Sequence, residues 1–370
     1  GMYKNRNGGP ALQDSVGRLS QKGYQVEAQY HLRKTFLNLV TGGGVYDIWF
    51  ENHAYNLKEE LNTNMHFYSN VYLPKNATAT LGVSYNAYKR RGENPSIPLD
   101  FNEIDPKMGL QWDITNRFRL RAAWLETVTS GLIAQQTLEP TQVAGFNQLF
   151  DDPVGTRSRR KGVGLDTKIA KDFYGGIEGS IRHLAVPFIN GGYDHQKEQL
   201  YRAYIYGLIS TNWSFNSELQ FENFSRKENL DPITEISPNR IEPNDIQTLS
   251  IPVSLNYFNP NGMFFRLTGT YVKQDLEIFK DSSTLNSHKS LFYPRNLPRD
   301  LKIEGLSNFF VLDTSIGFRL PGRRGLISIE GRNLLDDEFF FRNSQFYVSQ
   351  PIPPRYAPFR SLFVQLTLNF

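Results

Sequence analysis

The chain of 370 residues contains no cysteine. That excludes disulfides, thiol catalysis and cysteine-ligated metals, and it suits a protein that matures in an oxidising compartment. No uninterrupted apolar stretch is long enough for a membrane-spanning helix, which needs about 20 residues. Hydrophobic content is 39% and mean hydropathy −0.46. An excess of one charge is also missing: the net charge of +4 is too small to argue for nucleic acid as a partner. The six histidines are scattered without metal-ligand spacing, and no helical zinc motif occurs. No Lys-Ser/Thr follows Gly42-Gly43-Gly44, so these glycines are not a phosphate loop; they read as a bulge or close packing inside a strand. The paired acids Asp151-Asp152 and Asp336-Asp337 fall in predicted loops and read as solvated. Neither an enzyme nor a bound cofactor or metal is expected.

What the chain does have is aromatics, with 27 Phe and 19 Tyr, and a two-residue hydrophobic period. Ser361 to Phe370 places Leu362, Val364, Leu366, Leu368 and Phe370 on one strand face. Ser361, Gln365, Thr367 and Asn369 take the other, with Phe363 the one exception. Met108, Leu110, Trp112 and Ile114 share a face, then Phe118, Leu120, Ala122 and Trp124 after a short link; three arginines, Arg117, Arg119 and Arg121, oppose the second set. The same hairpin recurs through Val163–Arg182, Tyr201–Glu222, Leu249–Tyr271 and Leu312–Arg332, and earlier through Tyr24–Tyr46 and Met65–Tyr88. Asn259-Pro260-Asn261-Gly262, Pro74-Lys75-Asn76 and Pro321-Gly322 are strong turn signals.

About fifteen strands of roughly ten residues follow, a length that crosses a bilayer when tilted. Short turns alternate with long polar connections near 47–63, 89–105, 127–160, 184–198, 223–246, 275–308 and 336–360. Trp112, Phe118, Phe173, Trp213, Tyr257, Phe264 and Phe318 crowd the short turns, as an aromatic girdle does. The fold class expected is an all-β transmembrane antiparallel β-barrel in the outer membrane of a Gram-negative bacterium, with short periplasmic turns and long extracellular loops. Outer-membrane lipid and lipopolysaccharide are its expected surroundings. Arg157, Arg159, Arg160 and Lys161 form a basic cluster at a strand end, suited equally to lipopolysaccharide phosphates and to plain solvation.

Parity adds a further expectation. If Phe370 ends in the periplasm, an odd strand count puts residues 1–22 outside the cell as a loop or frayed strand end. Residues 23–370 then form the barrel. Because bacterial barrels close with an even count, the chain is expected to be the C-terminal part of a longer barrel, with an unpaired edge at its first strand. No secretory leader is visible, which fits a processed chain or part of a longer one.

Gly331-Arg332-Asn333-Leu334-Leu335-Asp336-Asp337-Glu338-Phe339 resembles the penultimate-strand motif of TonB-dependent outer-membrane receptors, carried here by Asn333, Leu334, Asp336 and Phe339. Pro354-Arg355, Pro358-Phe359-Arg360-Ser361 and the terminal strand resemble that family's closing segment. Gly17–Gly23 running into Tyr24 resembles its loop-to-strand entry, and Leu138-Glu139-Pro140 weakly resembles the loop before another of its strands. The resemblance implies a barrel of about 22 strands around a plug. It makes terminal Phe370 part of the signal read by the barrel-insertion machinery, and it implies TonB as a partner through an N-terminal region absent here. No globular segment stands before Tyr24, so a plugless relative is equally open. The expected function is transport of a nutrient or other solute too large for porins. The alternatives are a polysaccharide-export barrel fused behind periplasmic helical repeats and a non-transporting surface-binding barrel. Arg33, Arg119, Arg121, Arg182, Arg202, Arg266, Arg319 and Arg332 are expected to face the lumen. Glu27, Asp166, Glu178, Glu218, Glu222, Asp313 and Glu330 are expected to share that wall as a mutually neutralising ladder.

Overall fold

A computed structural model describes residues 20–51, 57–92, 99–131, 137–187, 192–226, 243–278, 305–341 and 355–369. Residues 1–19, which make up most of the expected outer loop, and Phe370, the expected insertion signal, lie outside them. The strands are β1 Ser20–Lys34, β2 Leu37–Glu51, β3 Leu57–Leu73, β4 Ala77–Gly92, β5 Leu99–Asp113 and β6 Phe118–Val128. A two-residue pair follows, β7 Gln142–Val143 and β8 Phe146–Asn147. Then come β9 Arg157–Ala170, β10 Phe173–Pro187, β11 Tyr193–Leu208, β12 Trp213–Arg226, β13 Pro243–Phe258, β14 Met263–Ile278, β15 Gly305–Leu320, β16 Gly325–Arg332 and β17 Ser361–Leu368. All but β7 and β8 form one 15-stranded antiparallel sheet in chain order, with β6 pairing directly with β9.

The period-two pattern becomes two unlike faces. On one face the exposed side chains are large and apolar: Val26, Met65 and Ile177 are each 60% exposed and Ile104 is 67%. On the other, polar side chains are buried: Asn62 and Lys107 are 1% exposed and Gln274 2%. A soluble monomer does the reverse, since it rarely leaves a contiguous apolar surface of this extent bare. The sheet curls toward its polar side. Residues 138–147 touch that side of β1 through Glu27 and Gln29 and of β9 through Arg160. Those strands stand six steps apart in the sheet, yet the segment doubles back where Gln142 pairs with Asn147, so both strands reach one compact hairpin.

The turns follow their residues. Lys75 and Asn76 have φ of 62° and 58°, the pair of positive angles that closes a tight hairpin with the right twist. Gly262 has φ of 104°, and its N–H donates to the Asn259 carbonyl at 2.8 Å. Gly42, Gly43 and Gly44 sit in an unbroken β2, paired with Gln29, Ala28 and Glu27 on one side and His66, Met65 and Asn64 on the other. There is no bulge here. The inward pair, Gly42 and Gly44, leaves room for the His66 ring and the Glu27 side chain to lie flat against the strand.

Three expectations are corrected. Most strands are 14–17 residues rather than about ten. Beyond the alternating segment the outer face turns polar and buried side chains such as Ile48, Tyr88 and Phe101 gather on the inner one, so the sequence pattern stops while the hydrogen-bonded ladder continues. Ion pairs such as Arg90–Glu60 at 2.8 Å and Arg91–Glu59 at 3.4 Å hold the extension together. The connections predicted near 47–63, 89–105 and 184–198 are therefore largely strand. Phe264, expected in the aromatic girdle at the short turns, turns inward and lies over Gly317, where no side chain would fit. Phe363, the one apolar residue on the polar face of β17, has the Arg332 guanidinium 5.1 Å from its ring centre, which explains the break in alternation.

β1 and β17 run in the same direction, and among the described residues each pairs with a strand on one side only. The packing at Gly42 gives a direct check. Gly42→Leu should cost about 1–3 kcal/mol through overpacking against His66, read as a lower urea midpoint for unfolding. An unchanged midpoint would show that the His66 ring is not held there.

Candidate functional site

The inner, polar face of the sheet is the candidate site, and a ladder of charges runs across it. Because residues two apart point the same way, Arg119 and Arg121 both face inward from β6. Arg119 pairs with Asp113 (Nε–Oδ1 2.5 Å, Nη2–Oδ2 3.1 Å). Arg121 makes a two-pronged pair with Asp166 at 2.8 and 2.9 Å and reaches Glu178 at 3.0 Å. Arg202 continues the ladder between Glu178 at 3.1 Å and Glu218 at 3.3 Å. Arg182 holds Glu198 at 3.1 Å and also pairs with Asp152; burial pushes the Asp152 carboxyl upward while Arg182 opposes it. Arg332 pairs with Glu330 at 2.7 Å, Arg266 donates to Asn256 at 2.9 Å, and Arg319 lies 5.0 Å from the Phe258 ring centre. Arg33 sits on the same face at the exposed end of β1. Glu27 accepts from the Leu138 N–H at 2.5 Å, Glu222 from Arg355 at 3.1 Å, and Asp313 from the Asn333 N–H at 2.8 Å. Each guanidinium with a carboxylate neighbour gains charge-assisted hydrogen bonds in fixed geometry.

Over β1–β10 this face is covered from within the chain. The segment 137–148, with the β7–β8 hairpin at its tip, folds down onto it. Val143, Ala144 and Phe146 pack with Val40, Tyr68, Ala123 and Leu125 in one buried cluster. Phe146 lies against Gly162, and Val143 with Ala144 against Gly109, so two strand glycines make the seat. The polar side chains are satisfied in turn. Tyr68 donates to Glu139 at 2.5 Å, and Gln148 donates to the Tyr68 hydroxyl at 2.9 Å. Lys107, with a fully buried side chain, lies 3.6 Å from Glu139 and donates to Ser84 at 2.5 Å. A buried ammonium without such partners would be costly.

The family-motif residues form a second inward segment. Asn333 is fully buried with φ of 48°. Its amide donates to the carbonyls of Asp337 (3.0 Å) and Ala357 (3.2 Å) and accepts from the Asp337 N–H (3.1 Å). Asp336, at φ 55°, accepts from the N–H of Arg360 at 2.9 Å, immediately before β17. Leu334 packs on Gly331, and its N–H donates to Leu312. Phe339 stacks on Phe309 with ring centres 3.9 Å apart, and Phe341 and Tyr356 pack edge-on around them. The motif is thus a clasp that binds the start of the last strand to the end of the one before it.

The basic cluster divides. Arg157 pairs with Glu103, and Arg159 with Glu126 at 2.5 Å; Arg160 turns inward to the Asn147 carbonyl at 2.9 Å and Ser180 at 3.0 Å. Lys107, Glu139, Phe146 and Gln148 were not read from the sequence as site residues. The glycines at inward positions, Gly109 and Gly162, are the signal that something large packs there.

No protein-family profile matches the chain, and no curated protein matches it by sequence. Its fold has solved counterparts. It superposes on the FrpB iron transporter from Neisseria meningitidis (F3-3 variant) with a TM-score of 0.60 at 13% identity, over 95% of this chain and 55% of that one. For the unliganded ferric citrate transporter FecA the values are 0.56, 12%, 95% and 54%. For the copper transporter OprC they are 0.54, 11%, 95% and 57%. The chain spans about half the length of these proteins. Its fold is that of an antiparallel β-barrel wall. More narrowly, the wall follows the fold seen in these three transporters. Each of the three is a transporter.

The clasp can be tested by truncation. Asn333→Ala removes three hydrogen bonds in a buried site and should cost about 2–4 kcal/mol. Arg332→Ala, on an exposed neighbour, should cost under about 1 kcal/mol. The measurement is the temperature at which the folded species loses its compact mobility in detergent gels.

Proposed function

We propose that this chain is part of the wall of an outer-membrane transport barrel that moves a solute too large for porins. The observation that carries the reading is the inside-out sheet: a continuous apolar outer face and a charged, hydrogen-bonded inner face, in a fold shared with iron and copper transporters. In a bilayer every strand edge needs a partner. Antiparallel closure between β1 and β17, which run the same way, takes an odd number of further strands. The proposal therefore includes a larger barrel of which β1–β17 are the C-terminal part, its short turns in the periplasm and its long connections outside. TonB is the proposed energy source, acting through a part of the protein outside this chain.

A surface-binding barrel without transport is the second reading, and the inward segment 137–148 is what favours it, since it occupies part of the interior. Against it, the described residues leave the polar wall at the short-turn half of β10–β14 uncovered. Export of polysaccharide behind helical repeats has no support in the described residues.

Reconstitution separates these readings: the transport barrel should conduct ions in planar bilayers once any plug is removed or unfolded, and a barrel silent under those conditions would overturn transport. The membrane register has its own test. Leu219 faces outward and Glu218 inward, so Leu219→Arg should cost roughly 2–4 kcal/mol at mid-membrane. Glu218→Ala should cost less than about 1 kcal/mol, because Arg202 keeps Glu178. Both are read from urea-dependent folding into vesicles, and equal costs would place this strand on the opposite register.

A further inference from the structure

We propose that the outward face of β9–β11 holds the phosphate groups of a lipid in the outer leaflet, which by its chemistry is lipopolysaccharide. The inference rests on the orientation proposed above, with the long connections outside. These strands sort their charges by side. All four carboxylates of β9, β10 and β11, namely Asp166, Glu178, Asp194 and Glu198, stand at inward positions. The outward positions carry Arg157, Arg159, Lys161, His183, His195 and Lys197 and no acid. The basic run visible in the sequence lies on one strand. The sheet turns its Arg160 inward and adds basic side chains from two further strands. Arg159, His183 and Lys197 are direct cross-strand partners in a single row. Lys161 stands one outward position below, between Trp124 and Ile181.

Like charges gathered across neighbouring strands destabilise a sheet, so this row calls for a counter-anion. The protein's own carboxylates supply only part of it. Glu126 takes Arg159 at 2.5 Å and Glu103 takes Arg157, whereas Lys161 and Lys197 face no carboxylate directly across on either neighbouring strand. At the same height on β13 and β14 the outward positions hold Asp245, Asp275 and Glu277 instead. The two signs are thus segregated around the wall, which solvation alone does not require. Height decides the ligand. Lys161 lies nine residues before the short-turn end of β9, about 30 Å along a strand and roughly three quarters of that along the membrane normal once the strand tilts. That matches an apolar band about 25 Å tall. Below it the outward side chains are apolar: Val163 is 55%, Ile177 60% and Tyr201 44% exposed. The cations therefore stand at the outer margin of the band, level with the phosphates of the outer leaflet. Lysine stems can lie along the apolar surface while their ammonium groups reach that level. Six strands of the sheet flank the patch on each side, so further strands added beyond β1 or β17 leave it unchanged.

The test uses the complete protein in detergent, with a chelator present so that divalent cations do not bridge, and native mass spectrometry as the readout. Bisphosphorylated lipid A is the probe. Lipid A stripped of both phosphates, phosphatidylglycerol and inorganic phosphate are the competitors. Bisphosphorylated lipid A should bind, and Lys161→Gln combined with Lys197→Gln should weaken it by about twentyfold. Lys273→Gln, which removes the same charge from the outward face of β14, should leave it unchanged. Retained mobility in detergent gels shows that the variants fold. Equal binding of the phosphate-free lipid, tighter binding of phosphatidylglycerol or of inorganic phosphate, or no loss in the double variant would overturn the proposal. Orientation is read separately. This chain lacks cysteine, so Asn116→Cys in the short β5–β6 link, in a background without other cysteines, reports it alone. It should resist a membrane-impermeant maleimide on intact cells and react once the envelope is opened. Labelling on intact cells removes the orientation and this inference with it. Labelling only in opened cells, with no binding of lipid A, removes this inference and leaves the orientation standing.

Discussion

The strand pleat is the constraint on which everything else in this molecule rests. It sends successive side chains to opposite sides, so a chain that must present an apolar surface outward and a polar one inward has to alternate, residue by residue. The cross-strand ladder then ties each strand to the next in a single register. Once β11 is fixed against β10 and β12, Glu178 stands directly opposite Arg202 and Glu218 sits one diagonal step from it, without any choice left to the side chains. The charge ladder follows from the backbone register and adds specificity to it, because a one-residue slip would turn each of these charges to the apolar side.

The interior is not a smooth tube. Two segments fold onto it, and each uses a different device. The 137–148 segment is seated by absence of side chains at Gly109 and Gly162 and by hydrogen bonds that neutralise Lys107 and Glu139. The 333–341 segment is seated by one buried amide, Asn333, and an aromatic stack. Among the described residues, what remains open between them is the short-turn half of β10–β14.

Much of this was legible in the sequence where one face was lipid-like and the other wet. β13 alternates through Leu249–Tyr257 and β17 does so apart from Phe363, and their register follows from it. The reading failed where that contrast vanished. At the outer ends of β3, β4 and β5 the outer face turns polar while buried side chains such as Tyr88 and Phe101 turn inward, so the lipid-like contrast that marked strand from loop is lost there. Phe264 failed for the opposite reason: an aromatic next to a turn has two places to go, and only the glycine opposite, Gly317, decides in favour of the interior. The inward folding of 137–148 was invisible because it depends on Gly109 and Gly162, far apart in sequence, and on a lysine that reads, by itself, as a solvated strand residue. The Asn333 motif was recognised by resemblance, but its role as a clasp needed the coordinates.

One consequence concerns how such a protein changes size. Apart from the β6–β9 junction, each strand lies beside its neighbours in sequence. Strands two hairpin ends apart, such as β10 and β13, point in opposite directions. Excising the β11–β12 pair would leave β10 and β13 able to zip together with correct polarity, whereas excising one strand would not. The natural unit of gain and loss in this architecture is therefore the hairpin. A lineage can widen or narrow its pore in steps of two strands by duplication or deletion, without passing through an intermediate whose edges cannot meet.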